Sequence, residues 1–371
     1  MSRLPMNEKT FLQFYIDTAL GYSKPLQTRM CQYMESKKII TFAQQPSLQD
    51  PPNVKYFPSK KDTARIISSV GQEKENAKVF EYWEFTKLYK YSVPLFYEGN
   101  IEESLKSHSN IIEFTEDNFE IEDYSIGTSL QDTQINMMRY GDNFLIKFVL
   151  QKNYTQPNET VAVDYRYPIV VFFDTENNIM EIRYDAVRHM LFSEPYYGKQ
   201  ISDVIDWVID TLHLKLFRCE TSSLKENVQA SETGEVKISK QMMQLSSGGA
   251  AELTASEDQN YILPFIGEIR ELIDENASLF DSAAEVKELL IKYLDDKEAT
   301  AEYPYIYVTW LSPVASQNYV VKFTFDYFNR AHTVLQHLTG NCKDLRMERM
   351  NNVIQYLCKN SSFVRGEEIS H

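Results

Sequence analysis

The stretch from residue 143 to 184 constrains the fold more than any other part of the chain. β-Branched and aromatic residues dominate it, and much of it alternates at period two, the repeat of a strand with two unlike faces. Residues 143–150, 161–165, 169–174 and 179–184 read as strands. Gly141-Asp142 supplies a turn into the first, and Thr175-Glu176-Asn177-Asn178 a turn between the last two. Connections this short join antiparallel neighbours, because parallel strands need a long crossover. An antiparallel sheet of at least four strands over about residues 110–185 follows.

Helical patterns surround this sheet. Leu12, Tyr15, Ile16, Ala19 and Leu20 fall on one helix face, and a helix is predicted over 77–89, beyond a proline-rich connection at 46–58. Ser202 can cap a helix that carries Val204, Ile205, Val208, Ile209 and Leu212. Towards the C-terminus, Ile262, Ile266, Ile269 and Ile273 form a stripe. Ser282 and Glu285 make a capping box ahead of a face of Val286, Leu289, Leu290, Tyr293 and Leu294. Strands at 305–310 and 319–325 and helices at 330–338 and 343–359 complete the reading. The fold class is α+β: an antiparallel sheet flanked by helices, then a smaller α+β region at the C-terminus.

Composition divides the chain. Aromatic residues make up 13% of it, yet none occurs between Phe217 and Tyr261. Residues 221–260 therefore read as a polar, acidic linker or mobile insertion between a domain at 1–220 and a region at 261–371. The net charge is −15, and residues 221–302, with 17 acidic and 7 basic residues, carry −10 of it. The total offers no support for nucleic-acid binding, although it says little about either flanking region. The four cysteines form no C-x-x-C pair and read as free thiols of a reducing, cytoplasmic compartment. No apolar run reaches membrane-spanning length, so no membrane partner is expected.

Phosphate-binding glycine loops, the G-x-S-x-G elbow and H-E-x-x-H are all missing from the sequence. One segment has the layout of a metal site. Asp174 ends an apolar strand, and Glu181 and Arg183 share a face of the returning strand. Over about ten residues this resembles the PD-(D/E)xK nuclease pattern, with Arg183 where that pattern has lysine. The resemblance implies two carboxylates holding Mg²⁺. Separately, His189 follows the hairpin closely enough to join them, or is an ordinary loop or helix-start histidine. The same alternation, with Met180, Ile182 and Tyr184 on the opposite side, is also that of an ordinary strand with one wet face. Lys343, Arg346 and Arg349, spaced by three, form a basic row on the last helix that suits an acidic or phosphate-bearing partner.

Three functional expectations result. The first is a non-catalytic interaction or regulatory component of an intracellular multiprotein system with a protein partner; the Lys-, Asn-, Ile- and Tyr-rich usage fits a microbial mobile-element or defence setting. The second is a Mg²⁺-dependent nuclease or phosphoryl-transfer enzyme using Asp174, Glu181 and Arg183. The third is an acidic nucleic-acid mimic that inhibits a DNA-binding partner.

Overall fold

In a computed structural model of the chain, the described residues are 8–43, 54–57, 61–70, 76–115, 126–155, 162–187, 194–221, 223–229, 234–244, 249–254, 266–299, 301–312, 318–327, 332–338 and 346–369, with 47, 51 and 117–118. They divide into two compact units. Unit 1 is Met1–Arg218 with Asp344–Gln355 and Arg365–His371, and unit 2 is Cys219–Lys343 with Tyr356–Val364.

In chain order the elements are α1 (Glu8–Leu20), α2 (Lys24–Ser36), β1 (Ile40–Thr41), β2 (Lys55–Tyr56), α3 (Asp62–Val70), α4 (Ala77–Thr86), β3 (Tyr91–Glu98), α5 (Ile101–Lys106), β4 (Ile111–Glu113), β5 (Ile135–Tyr140), β6 (Asn143–Thr155), β7 (Ala162–Asp174), β8 (Ile179–Tyr184), α6 (Glu194–Leu212) and β9 (Lys215–Glu220). They continue with α7 (Leu224–Gln229), β10 (Val236–Gln244), β11 (Ala250–Thr254), α8 (Ile266–Glu275), α9 (Ala277–Asp281), α10 (Ala284–Ala299), β12 (Tyr305–Trp310), β13 (Tyr319–Asp326), β14 (His332–Leu338), α11 (Glu348–Lys359) and β15 (Val364–Glu368).

Unit 1 is built on the predicted antiparallel sheet. Its strands run β3-β8-β7-β6-β5 with antiparallel pairing throughout, and β4 joins β5 in parallel. The segments 161–165 and 169–174 are one continuous strand, β7, which crosses Pro168 without breaking. Register places Ser92, Arg183, Val170, Lys147 and Asn136 in one row across five strands. Directly opposed residues share a face, so this row lies on one side of the sheet. That side is closed by an apolar cluster of Phe85, Leu88 and Tyr89 with Met347 and Met350 of the α11 segment. On the opposite side α6 buries Val204, Ile205 and Val208, and Trp207 meets Phe148 edge to face at 4.8 Å. Helix faces on both sides of the sheet explain why all six residues of β8 are buried. The expected wet face at Glu181 and Arg183 is therefore corrected: a helix layer covers it. A second cluster joins α1–α4 through Tyr15, Ala19, Met30, Met34, Ile66 and Trp83.

Unit 2 holds an antiparallel sheet in the order β11-β10-β12-β13-β14. The stretch 221–260, expected to be a linker or mobile insertion, contributes α7 and the strands β10 and β11. A half-solvated strand without aromatics, such as Val236–Gln244, has the polar composition of a loop. Where a helix was expected at 330–338, the described residues 332–338 form the strand β14, whose Thr333 and Val334 favour extended backbone. Val334, Leu335 and Leu338 satisfied helical spacing by coincidence.

Candidate interaction surface and buried ionic core

The residues proposed for metal chemistry belong to the sheet of unit 1, where each has a local task. Asp174 is buried at the end of β7 and closes the hairpin turn. One carboxylate oxygen accepts the backbone N–H groups of Glu176 and Asn177, both at 3.1 Å, and the other accepts the Asn177 side-chain amide at 2.8 Å. That is the Asx-turn use of an aspartate. Glu181 lies on the same sheet face, but Phe172 stands directly opposite it. One of its oxygens receives both Nε and Nη2 of Arg183, at 2.8 and 2.5 Å. Arg183 Nη2 also donates to Asn351 Oδ1 at 2.6 Å, and the guanidinium lies 4.4 Å from the Phe172 ring centroid. Among the described residues, no three His, Cys, Asp or Glu side chains converge to hold a metal ion. His189 lies outside the described residues.

A larger ionic cluster lies on the same face and was not read from the sequence. Glu81 and Glu84, one turn apart on α4, meet Lys147 of β6 and Arg166 of β7. All four side chains are buried. The three N–H groups of the Lys147 ammonium have three acceptors: the Glu81 carboxylate, Glu84 Oε2 at 3.1 Å and the Glu81 backbone carbonyl at 3.2 Å. Arg166 donates through Nε and Nη2 to Glu84 and through Nη2 to Glu81, and its guanidinium stacks 4.1 Å from the Tyr15 centroid. The Tyr15 hydroxyl donates to Glu81. Burial pushes the Glu84 carboxyl up, but Arg166 and then Lys147 outweigh it and hold the group down at about 2. Two acids and two bases make the cluster neutral, the condition under which charges survive in a dry core. A signal existed in the sequence: Lys147 interrupts the apolar run 144–150, and Arg166 stands between Tyr165 and Tyr167.

The C-terminal basic row does not form one helical stripe. α11 starts at Glu348, so Arg346 precedes it, in a bridge with Lys87, and Arg349 lies in its first turn. Lys343 lies outside the described residues. Arg346 Nε approaches Glu348 at 3.7 Å.

The helical segment of unit 2 offers a different kind of site. Eight large hydrophobic side chains are exposed among the described residues, and five of them, Leu272, Leu279, Val286, Leu289 and Tyr293, lie in α8–α10. On α10 the core takes Leu294, with Leu290 and Ile291 partly packed against the cluster of Met243 and Ile273. Val286, Leu289 and Tyr293 of the predicted apolar face are left 52%, 68% and 56% exposed. At 100° per residue these three fall within an arc of about 60°, so they form one stripe beside the packed edge. Residues 266–299 hold ten acidic and four basic residues. Two of the four bases are engaged by acids of the same segment, Arg270 with Asp295 at 2.6 Å and Lys287 with Asp281 at 3.0 Å. The segment that carries the stripe thus has a net charge of −6, and the Lys297 ammonium lies 5.4 Å from the Tyr293 ring centroid.

No protein-family model, no curated protein and no solved structure matches the chain. No helix of the described residues is long and apolar enough to cross a membrane.

Proposed function

We propose that the protein is a non-catalytic interaction component whose unit 2 docks a basic amphipathic helix of a protein partner on α10. The observation that carries this reading is the exposed stripe Val286–Leu289–Tyr293 on a segment of net negative charge. An exposed apolar row at i, i+3 and i+7 is half of a helix-in-groove contact. Covering it returns about 1–2 kcal/mol for each of the three side chains, since each is only partly exposed now. That does not exceed the cost of association, so electrostatic attraction to a basic partner must supply the remainder and set the choice of partner. The ionic residues of unit 1, by contrast, are engaged in holding helices onto the sheet.

The test is titration of the full chain with a synthetic helical peptide carrying leucine on one face and lysine on the other, followed by fluorescence anisotropy. Binding is expected to weaken with added salt and to drop at least tenfold in the Val286→Glu/Leu289→Glu variant. Equal binding of a leucine/glutamate peptide of the same pattern, or an unchanged affinity in the variant, refutes the reading. Self-association of the free chain through this stripe, detected by sedimentation, would assign the face to a second copy instead.

A further inference from the structure

The other face of the unit 2 sheet carries a feature unrelated to α10. Strand register sets Lys240 opposite Tyr307, and Tyr307 opposite Lys322. One step along the same face are Tyr305, opposite Thr324, and Lys237, opposite Thr309. The intervening residues Ile238, Gln241, Ile306, Val308, Val321 and Phe323 are buried, while Lys237, Lys240, Tyr305, Tyr307 and Lys322 are half-exposed and Thr309, at the edge of that face, is buried. The sheet is therefore two-faced, and its solvated face presents two phenol rings among three ammonium groups. The Lys322 ammonium lies 4.0 Å from the Tyr305 centroid and 5.7 Å from that of Tyr307, and Lys240 lies 5.4 Å from Tyr307. Two of these lysines, Lys237 and Lys240, come from the segment 221–302, whose net charge is −10.

We infer that this face binds single-stranded nucleic acid. Flat rings on a rigid sheet accept unstacked bases whatever their identity, and lysines beside them meet the phosphates between those bases. A duplex offers no free base face to the rings, so single strands are preferred. Glu252 opposes the ligand. From the neighbouring β11 it pairs with Lys240 at 2.6 Å and accepts the Tyr305 hydroxyl. A phosphate arriving at Lys240 must displace that carboxylate, so Glu252 sets the affinity low and its removal raises it.

The experiment is fluorescence anisotropy of the full chain with labelled oligothymidine and oligouridine of about 16 nucleotides, and with the corresponding duplex. Binding at about 50 mM NaCl is expected, falling with salt at a slope of about −0.7 for each phosphate engaged. Lys240→Glu/Lys322→Glu should weaken it at least tenfold, and Tyr307→Ala at least about fivefold, with Tyr307→Phe close to wild type. Glu252→Gln should bind more tightly than wild type, an outcome that damage to the fold would not produce. Val286→Glu/Leu289→Glu should leave oligonucleotide affinity unchanged, which separates this inference from the helix-docking reading. No binding at the low salt, duplex binding as tight as single-strand binding, or full affinity in the double lysine variant overturns it.

Discussion

Replacing Lys147 by methionine tests whether the ionic cluster of unit 1 is as dry as its geometry states. The wild-type cluster balances Glu81 and Glu84 against Lys147 and Arg166. Methionine fills a similar space but leaves two carboxylates facing one guanidinium. The folded chain must then hold an unbalanced buried charge or take up a proton. Uptake by a carboxyl of ordinary value 4.5 costs about 3.4 kcal/mol at pH 7, at 1.36 kcal/mol per pH unit. That sets the expected loss at about 3–4 kcal/mol, consistent with breaking one side of a buried pair and a large share of a domain's whole stability. The loss should shrink by about 1.4 kcal/mol for each unit of pH below 7, reaching about 1 kcal/mol near pH 5. Urea unfolding read by the fluorescence of Trp83, which precedes Glu84 on α4, reports on the right helix. Trp207→Phe and Trp310→Phe in both partners of the comparison remove the other two tryptophans. A loss below about 1 kcal/mol at neutral pH, or one that does not change with pH, would refute the account of a dry, charge-balanced core.

Acid should unfold the wild-type protein through the same group. Glu84 is held below its ordinary value in the folded state, so its contribution is complete above about pH 4.5 and is lost as pH falls towards about 2. By linkage it amounts to about 3 kcal/mol, measurable as urea midpoints across that window, and Glu84→Gln should flatten the dependence. Asp174→Ala removes three accepted hydrogen bonds at the β7–β8 turn and should cost about 1–3 kcal/mol in the same assay. If Mg²⁺ raises the melting temperature of wild type but not of Asp174→Ala, the metal-site alternative gains the support that the present geometry does not provide.

The sheet of unit 1 was legible because period-two patterning and turn chemistry are local signals. The turn at 175–178 sets the pairing of Phe172 with Glu181, and no distant residue is needed to see it. What lies over a strand is not local. Glu181 and Arg183 alternate with Met180, Ile182 and Tyr184 whether water or a helix layer covers them. The helices are separated from these strands by long stretches of chain: Glu81 meets Lys147 across 66 residues, and Asn351 meets Arg183 across 168. Strands β10 and β11 were hidden for the opposite reason. Ser239, Lys240, Gln241 and Gln244 make β10 look like loop, and only pairing with β12 reveals it as sheet. The apolar face of α10 was visible in the sequence, but which half of it the core covers depends on Ile273 and Met243, which no spacing rule supplies.

Backbone hydrogen exchange, read by mass spectrometry with and without the leucine/lysine peptide, locates the docking face on the chain. The account predicts slowed exchange concentrated in residues 284–299, no change over the β6–β8 strands, and loss of the effect in Val286→Glu/Leu289→Glu. Protection that falls elsewhere, or that persists in the variant, would contradict the assignment of α10 as the docking face.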